Sequence, residues 1–292
     1  MMKSKEQDGE RAVSPFLRWA GGKSWLLPQL SVLLIDLEFK DYYEPFLGSG
    51  TAFFALKGSH KSFLSDMNED LILTYQAIKD SPEQVYKALR RLKNTEEEYY
   101  RIRSMNCRRT ATKAARFIYL NQTSYNGLYR VNSKGEYNVP YGFRKSLKFD
   151  RSRLERASNF LVKQNAVLSH QDFEDALASV GCEDFVFLDP PYTVSKDDEN
   201  GFIAYNEKIF SLDDQKRLRR CIDIIKEKKA YYLLTNAHHP TILSIFGNSG
   251  TCIEVHRQSC IGGKNARRGL VREYVFTNIP MKRNAQKEVA YA

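Results

Sequence analysis

The sequence predicts an α/β fold in which buried parallel strands alternate with helices. The apolar run Phe185–Leu188 is typical of a strand that is buried on both faces of a parallel sheet. Further strands are predicted at residues 62–66, 166–169 and 231–236, with helical patterns between them. With 292 residues, the chain is long enough for one large or two moderate domains around a sizeable core.

The composition is that of an ordinary globular protein with a marked positive charge. Hydrophobic residues make up 42% and charged residues 27%, and 45 Lys and Arg against 35 Asp and Glu leave a net charge of +10. This balance favours a polyanionic partner, with nucleic acid ahead of a membrane surface. The five cysteines are scattered without a C-x-x-C pair, which argues against a zinc knuckle and a disulfide framework.

The N-terminal residues and the hydropathy of the sequence indicate the expected cellular location. Residues 1–10 are polar and lack the apolar core of a signal peptide, and no stretch is long enough to span a bilayer. We therefore expect a cytoplasmic protein with no membrane partner. We also expect residues 1–14 to form a disordered leader and residues 280–292 a frayed tail.

The most informative motif is Asp189-Pro190-Pro191-Tyr192, which directly follows the buried strand. Two prolines cannot continue a β-ladder, so they end the strand and hold the chain rigid at the edge where open α/β sheets bind ligands. The Asp189 carboxylate and the Pro190 carbonyl can accept hydrogen bonds from an amino group, and Tyr192 can stack on the ring that carries it. A proline-terminated strand with a cap is the alternative.

Residues 16–24 contain two glycines, Lys23 and a serine. A P-loop is excluded because Leu17 stands where that motif requires glycine. The glycines allow close approach of a ligand to the backbone, and Lys23 can meet a carboxylate. A loop that caps a helix beginning near Trp25 is the alternative.

A second glycine-rich turn follows the strand predicted at residues 42–47. Gly48 and Gly50 leave space where the backbone must touch a small molecule, and an apolar helix is predicted at residues 52–56. About twenty residues after Glu44, the strand that ends at Asp66 presents an acid of the kind that binds ribose hydroxyls. Asp66 can equally cap the next helix.

The middle of the chain changes character. Helical patterns are predicted at residues 71–78, 82–92, 96–105 and 112–120, and a β-hairpin with a turn at Gly135 follows. Aromatic residues are interleaved with Arg130, Lys134, Arg144, Lys145 and Lys148. This pattern is typical of a loop that reads nucleic acid, although the basic helices before it are also consistent with a solvated face.

Two further motifs lie in the second half of the chain. Asp172 can accept a hydrogen bond from an adenine amino group and Phe173 can pack beside the ring, with a helix cap as the alternative for Asp172. The loop at residues 261–269 is basic and glycine-rich, which suits a phosphate backbone or a solvated hairpin tip. His238 and His239 lack the i,i+4 histidine or carboxylate spacing that is typical of a metal site, so they are interpreted as loop residues.

Taken together and in this order, the motifs resemble those of the Dam-type, or D12 class, DNA adenine-N6 methyltransferases. The runs that carry the resemblance are F-L-R-W-A-G-G-K from residue 16, E-P-F-L-G-S-G from 44, Y-N-G-L-Y-R-V-N from 125, Y-N-V-P-Y-G from 137 and D-P-P-Y from 189. The likeness extends over nearly the whole chain, from Phe16 to about Asn278.

The resemblance implies a seven-stranded, Rossmann-like methyltransferase sheet with an inserted, mostly helical target-recognition domain that contains a β-hairpin. On this basis we expect the catalytic domain at residues 15–68 and 158–279 and the target-recognition domain at residues 69–157. The resemblance also implies S-adenosylmethionine as cofactor, S-adenosylhomocysteine as product, no metal, and double-stranded DNA as partner.

The motifs and the resemblance together indicate three sets of site residues. The expected catalytic residues are Asp189, Pro190, Pro191 and Tyr192. The expected cofactor-binding residues are Trp19, Lys23, Glu44, Phe46, Gly48, Gly50, Asp66, Asp172, Phe173 and Asp189. The expected DNA-binding residues are Arg18, Tyr125, Asn126, Leu128, Arg130, Asn138, Pro140, Lys264 and Arg267.

The activity that the resemblance implies is methylation of N6 of a flipped adenine in double-stranded DNA. GATC is the expected target sequence, because Leu128, Arg130 and Pro140 match the family's readers of that site. Arg18 stands where family members often have lysine, and the two side chains are not interchangeable at a base edge. The first base of the site is therefore left open.

Two other classes of function remain as alternatives. One is a methyltransferase of the same fold that acts on RNA, on cytosine N4 or on a protein amide, although the last two usually carry Ser or Asn at the position of Asp189. The other is a catalytically silent DNA-binding protein. We expect a bacterial or phage-encoded protein that is a monomer in solution, and leave open whether a cognate restriction endonuclease acts on the same site.

Overall fold

The structure is a computed structural model, and it describes residues 13–19, 21–193, 210–258 and 270–281. The predicted DNA contacts Lys264 and Arg267, most of the predicted leader and most of the predicted tail lie outside the described residues. The chain divides into two compact units, as far as their residues are described. The helical unit contains Met1–Gly22, Gly48–Gly58 and Leu73–Lys163, and the sheet unit contains Lys23–Leu47, Ser59–Ile72 and Gln164–Ala292.

The sheet unit is built on one mixed seven-stranded sheet with the strand order β3-β2-β1-β4-β5-β7-β6. The first five strands in this order are parallel, and β7 pairs antiparallel with both β5 and β6. The strands are β1 (Tyr42–Glu44), β2 (Ser62–Asp66), β3 (Val167–His170), β4 (Phe185–Leu188), β5 (Tyr231–Ala237), β6 (Thr251–Gln258) and β7 (Leu270–Thr277). The predicted seven-stranded α/β fold is confirmed.

The strand order reverses direction between β1 and β4, which lie side by side at the centre of the sheet. Tyr42 is in register with Phe185 and Tyr43 with Val186, so the two strands end at the same edge. The crevice outside the carboxyl ends of strands at such a switch point is where open α/β sheets bind ligands. The topology therefore directs attention to the residues that follow Glu44 and Leu188.

Helices cover the sheet and build the helical unit. In chain order, the α-helices of the described residues are α1 (Leu27–Leu34), α2 (Glu69–Asp80), α3 (Pro82–Leu89), α4 (Glu96–Arg103), α5 (Thr110–Thr123), α6 (Arg151–Lys163), α7 (Phe173–Leu177), α8 (Leu212–Glu227) and α9 (Pro240–Phe246). Helix α8 begins with a capping box in which the Ser211 hydroxyl accepts from the Asp214 backbone and the Asp214 carboxylate accepts from Ser211. None of the helices among the described residues is long and apolar enough to cross a membrane.

The core of the sheet unit explains why these segments become strands and helices. Leu188, Tyr232 and Phe276 are fully buried on β4, β5 and β7, and Leu218 and Ile222 of α8 belong to the same apolar cluster. Complete burial of one such side chain stabilises the fold by about 1.5–3 kcal/mol relative to exposure. The cluster fixes the register of the central strands and so fixes where each strand ends.

Some predicted elements differ in extent from the observed ones. The helix expected at residues 52–56 is a single 3-10 turn, Phe53–Ala55, because Leu56 already has an extended backbone. The helix expected to continue to residue 92 ends at Leu89. Around the predicted hairpin, the described residues form isolated antiparallel bridges, Val131 with Tyr137 and Ser124 with Tyr141, rather than a continuous ladder.

A substitution at Gly250 tests the close packing around β5 and β7. A Cβ atom at this position would lie 2.4 Å from the Thr277 carbonyl oxygen and 2.8 Å from the Tyr232 hydroxyl. We expect Gly250→Ala to lower the free energy of unfolding by about 2 kcal/mol, because the backbone must shift to admit the methyl group. Urea denaturation measures the change. Gly181→Ala is the matched control, since its Cβ would lie 3.5 Å from Asp184, and an equal loss in both variants would contradict the explanation.

Candidate active site

Asp189 and the prolines after it stand at the switch point of the sheet. Strand β4 ends at Leu188, and Asp189 is 20% exposed, whereas Pro190 is buried. The sequence terminates the strand here because neither proline can donate to the ladder of β5. A carboxylate and a backbone carbonyl are thereby held at the sheet edge on a rigid segment.

Two donors converge on one oxygen of the Asp189 carboxylate. Lys23 Nζ lies 2.7 Å from Oδ1, and its side chain is only 5% exposed. Thr235 of β5, which is fully buried, donates its hydroxyl to the same oxygen at 2.7 Å. Because β4 and β5 are adjacent parallel strands, the sheet itself sets the position of Thr235. The second oxygen, Oδ2, receives no hydrogen bond from the described residues.

Burial raises the pKa of the Asp189 carboxyl above its ordinary value. The charge and hydrogen bond of Lys23, and the hydrogen bond of Thr235, act in the opposite direction. The nearby Glu273 adds to the increase by repulsion. Lys23 therefore helps to keep Asp189 ionised in a place that would otherwise favour its neutral form.

Tyr192 is held by a buried acid that sequence reasoning missed. Its hydroxyl donates to Glu273 Oε2, and Glu273 is only 1% exposed on β7. Burial and the charges of Glu273 and Asp189 raise the pKa of Tyr192 well above its usual value, so the tyrosine stays neutral. Lys23 Nζ also lies 4.9 Å from the centroid of the Tyr192 ring. The signal that could have revealed Glu273 is an acid directly before the apolar run at residues 274–276 of a strand.

A chain of buried hydrogen bonds holds the backbone beyond Tyr192. Asn236 Nδ2 donates to Gln215 Oε1 at 2.9 Å, and Gln215 Nε2 donates to Thr193 Oγ1 at 3.0 Å. The Thr193 hydroxyl in turn donates to the Phe210 carbonyl at 2.8 Å. Asn236, Gln215 and Thr193 are at most 2% exposed. Sequence reasoning did not find this network, which fixes the segment that follows Asp189 through side chains of β5 and α8.

Two predicted cofactor-binding acids lie at the ends of adjacent strands. Asp66 is half-buried at the end of β2, where Oδ1 accepts from the Asn68 backbone at 3.0 Å. Glu44, at the end of β1, is 2% exposed and accepts from the Tyr42 hydroxyl at 2.8 Å. Asp66 is thus partly exposed at the end of its strand, whereas Glu44 is buried.

The other predicted cofactor-binding residues of the sheet unit form an aromatic cluster beside a charged one. Phe46 and Phe173 lie 5.5 Å apart between ring centroids, and Phe173 is 3% exposed. Asp172 caps α7 by accepting from the Glu174 backbone at 2.9 Å, and Arg217 Nη2 lies 2.8 Å from its Oδ1. The helix-cap alternative for Asp172 is therefore realised in the structure, together with an ion pair.

In the helical unit, Trp19 packs directly on the glycine-rich turn. Gly48 has a φ of +46°, and a Cβ atom there would lie 2.8 Å from Trp19 Cδ1, so a side chain at this position is strained and obstructed. Gly50 has a φ of +63°. The Trp19 indole stacks on Tyr129 at 5.9 Å between ring centroids. Gly48, which is predicted as a ligand contact, thus also serves this packing.

Arg18 is placed beside the predicted DNA-reading loop by one amide side chain. Asn121 Oδ1 accepts from the Arg18 backbone N–H at 2.8 Å, and Asn121 Nδ2 donates to the Arg18 carbonyl at 2.6 Å. The Arg18 guanidinium lies against Gly127, where a Cβ atom would be 3.1 Å from Cζ. Burial, followed by the positive charge of Arg144, lowers the pKa of Arg18.

The other predicted DNA contacts among the described residues lie in the same unit. The Tyr125 backbone donates to the Pro140 carbonyl at 2.9 Å, and both residues are exposed. Arg130 Nε donates to Asn138 Oδ1 at 2.9 Å across the turn. Asn126 is exposed in a left-handed conformation with a φ of +53°. The half-buried Leu128 accepts, through its carbonyl, a hydrogen bond from the Tyr137 hydroxyl at 2.6 Å.

Comparison with known proteins identifies the family. The sequence profile of the D12 class N6 adenine-specific DNA methyltransferases matches residues 19–259, which is more than half of the chain. The chain belongs to this family. The protein is therefore an N6 adenine-specific DNA methyltransferase, and the predicted family membership and enzyme class are confirmed.

Three relatives indicate how far the similarity extends. The Type II methyltransferase M1.LlaDCHI of Lactococcus lactis subsp. cremoris is 34% identical over 90% of this chain and 95% of its own. The Type II methyltransferase M.MjaIII of Methanocaldococcus jannaschii is 36% identical over 78% of this chain and 85% of its own. The DNA adenine methylase of Escherichia coli K12 is 34% identical over 78% of this chain and 82% of its own.

The methyltransferase contains no group of three or more acids, histidines or cysteines arranged to hold a metal ion within the described parts of the chain. Lys23 contacts both Asp189 and the Tyr192 ring, and Phe46 contacts Phe173. The individual roles assigned to these residues in catalysis and cofactor binding stay predictions.

Lys23→Met tests the electrostatic balance at Asp189. Burial raises the pKa of Asp189, and the positive charge of Lys23 lowers it. Without that charge, the pKa of Asp189 should rise further. If ionised Asp189 is required, the rate of methyl transfer falls as the pH drops through this pKa, and the acid limb should move to higher pH in the variant. Single-turnover rates across a pH series measure the shift.

Lys216→Met is the control, because Lys216 pairs with the exposed Asp213 at 2.8 Å and its loss should leave the acid limb in place. An acid limb that does not move in Lys23→Met, despite measurable turnover, contradicts the role given to Lys23.

Proposed function

We propose that this methyltransferase transfers a methyl group from S-adenosylmethionine to N6 of a flipped adenine within GATC in double-stranded DNA. The observation that carries the proposal is the asymmetric Asp189 carboxylate. Lys23 and Thr235 hold Oδ1, whereas Oδ2 receives no hydrogen bond from the described residues and is available to an amino group. Adenine N6 is an amino group of the required kind.

The residues at the switch point fit S-adenosylmethionine, on which methyltransferase families generally depend. The half-buried Asp66 offers a carboxylate for ribose hydroxyls at the end of β2, and Phe46 with Phe173 offers aromatic surface to an adenine ring. When bound, this cofactor supplies an electrophilic methyl group, and S-adenosylhomocysteine is the product. The assignment of Trp19, Gly48 and Gly50 to cofactor binding stays a prediction.

The chain's own groups orient and polarise the target nitrogen. Asp189 Oδ2 and the Pro190 carbonyl each accept one hydrogen of the amino group, which turns the nitrogen lone pair away from the ring and makes it nucleophilic. The nitrogen would become positively charged as it takes the methyl group and the carbon–sulfur bond of the donor breaks. The nearby carboxylate stabilises that charge, and the nitrogen then releases one proton to solvent. Alignment on a rigid segment supplies much of the remaining acceleration.

The proposal includes flipping of the target base, and each unit carries an aromatic side chain that suits such a step. An enzyme that modifies a base inside a duplex must extrude it and stack it between aromatic or apolar groups. Tyr192 is neutral and fixed by Glu273, which suits a stacking role in the pocket. Tyr125 is 51% exposed beside Pro140, which suits a side chain that fills the space left in the duplex.

The proposed target sequence depends on the loop of the helical unit. Arg130 is exposed and is oriented by Asn138, so it can present two donors to a guanine edge. Leu128 and Pro140 offer apolar surface, which suits the methyl group of thymine. Arg18 lies in the same unit and is proposed to read the first base pair of the site. We propose G·C there, as in GATC.

Asp189→Ala tests the catalytic proposal. We expect methyl transfer to fall by at least about a hundredfold while DNA binding is largely retained, because the change removes transition-state stabilisation and leaves the proposed DNA-reading residues of the helical unit intact. Labelled methyl incorporation into a GATC plasmid measures the loss, and Asp213→Ala on the exposed side of α8 is the control. Near-normal turnover of Asp189→Ala would refute the role.

Sequencing of modified adenines in the same plasmid tests the target site, and incubation with RNA tests the main alternative substrate. Methylation only at adenines outside GATC would contradict the target sequence, and preferential methylation of RNA would contradict the substrate.

Arg130→Ala tests the reading of a specific base. We expect the preference for GATC over sites changed at one base pair to fall by about tenfold or more, since one bidentate base contact contributes about 1–3 kcal/mol of discrimination. Competition between the two duplexes measures the preference. Lys134→Ala, in the same loop, should lower methylation of both duplexes alike, and an unchanged preference in Arg130→Ala contradicts the assignment.

A further inference from the structure

Phe143 is an exposed aromatic residue in an unfavourable backbone conformation. Its side chain is 68% exposed, and its φ of +50° lies in the left-handed region that bulky residues rarely adopt. Neither feature helps the protein to fold, because the ring buries little surface and the backbone is strained. Such a combination calls for an explanation in function.

The backbone on one side of Phe143 is fixed by the end of helix α5. Gly142 N–H donates to the Thr123 carbonyl at 2.8 Å, and Ser124 forms an antiparallel bridge with Tyr141. A Cβ atom on Gly142 would lie 2.4 Å from the Ser124 carbonyl oxygen, so the two backbones touch. The approach to Phe143 is therefore rigid.

The backbone on the other side of Phe143 is fixed by Asn94, whose side chain forms hydrogen bonds with residues before and after Phe143. Its Nδ2 donates to the Arg144 carbonyl at 2.7 Å, and its Oδ1 accepts from the Tyr141 hydroxyl at 3.0 Å. The Phe143 ring rests edge-to-face on Tyr141, with 4.9 Å between ring centroids. The surrounding contacts thus impose the strained conformation and direct the ring outward.

The surroundings of Phe143 are cationic. Arg144, Lys145 and Lys148 follow it and are all exposed. The Arg144 guanidinium is oriented by Gln122, whose backbone and side-chain oxygens accept from Nη1 at 3.2 and 3.1 Å. Positive charge around one apolar ring matches a nucleic acid, which presents phosphates beside flat bases, better than it matches a protein surface.

We propose that Phe143 is a further DNA-contacting residue, whose ring packs on a nucleotide flanking the target sequence while Arg144 and Lys145 bind the adjacent phosphates. The proposal rests on the proposed function of this loop in reading DNA. Phe143 follows Pro140 by three residues, and the Tyr125 backbone bonds to Pro140, so the ring extends the same exposed surface beyond the predicted readers.

Phe143→Asn and Phe143→Gly test the proposal, because both residues tolerate the left-handed backbone. We expect the Tm to be unchanged or raised, while the Kd for a GATC duplex with native flanks rises about tenfold, in line with the loss of one aromatic contact to a base. Phe143→Trp should retain the affinity. Val162→Asn is the matched control, since Val162 is 56% exposed on α6 of the same unit and should not affect the Kd.

A duplex with abasic flanking nucleotides completes the test. For the wild type, the Kd for this duplex should rise to the value that Phe143→Asn shows with the intact duplex. For Phe143→Asn, the Kd should change little between the two duplexes. An unchanged Kd in Phe143→Asn, or a loss of affinity that merely follows a lower Tm, overturns the proposal. Failure of this proposal can be distinguished from failure of the proposed function. If the proposed function is wrong, the wild type does not methylate GATC, whereas the binding differences between the variants can still be observed.

Discussion

The buried ion pair between Lys23 and Asp189 is the interaction on which the account of this enzyme depends. A carboxylate at the end of a buried strand loses hydration, and burial raises its pKa. Lys23 at 2.7 Å and the Thr235 hydroxyl oppose that change. Because loss of one partner from a buried pair typically costs about 3–5 kcal/mol, the two residues constrain each other strongly. The proposed chemistry requires an ionised carboxylate at this position, and the ion pair favours that ionised form.

The rest of the sheet unit serves to hold this pair and its neighbours in place. The apolar strands fix where β4 ends, and the prolines fix the backbone that follows. Glu273 anchors Tyr192, and the chain of buried amides through Gln215 anchors the next residue. A site built on strand ends and buried hydrogen bonds is more rigid than one built on free loops, which suits catalysis by alignment.

Much of this was predictable because its causes are local in the sequence. The strand before Asp189, the switch from strand to rigid loop, and the capping box at Ser211 each depend on residues within a few positions of one another. Glu273 and Gln215 could not be predicted in the same way, since their contacts depend on the antiparallel register of β7 with β5 and on the packing of α8. Asp172 was predicted as a ligand contact, and the structure shows its cap and its ion pair with Arg217.

The proposed hydrogen bonds from the target amino group to Asp189 and Pro190 can be observed in one structure. A crystal structure with S-adenosylhomocysteine and a GATC duplex should place adenine N6 about 3 Å from both Asp189 Oδ2 and the Pro190 carbonyl, with the cofactor sulfur on the opposite side of the nitrogen. An adenine that remains stacked in the duplex, or an N6 atom that contacts neither oxygen, would contradict the proposal.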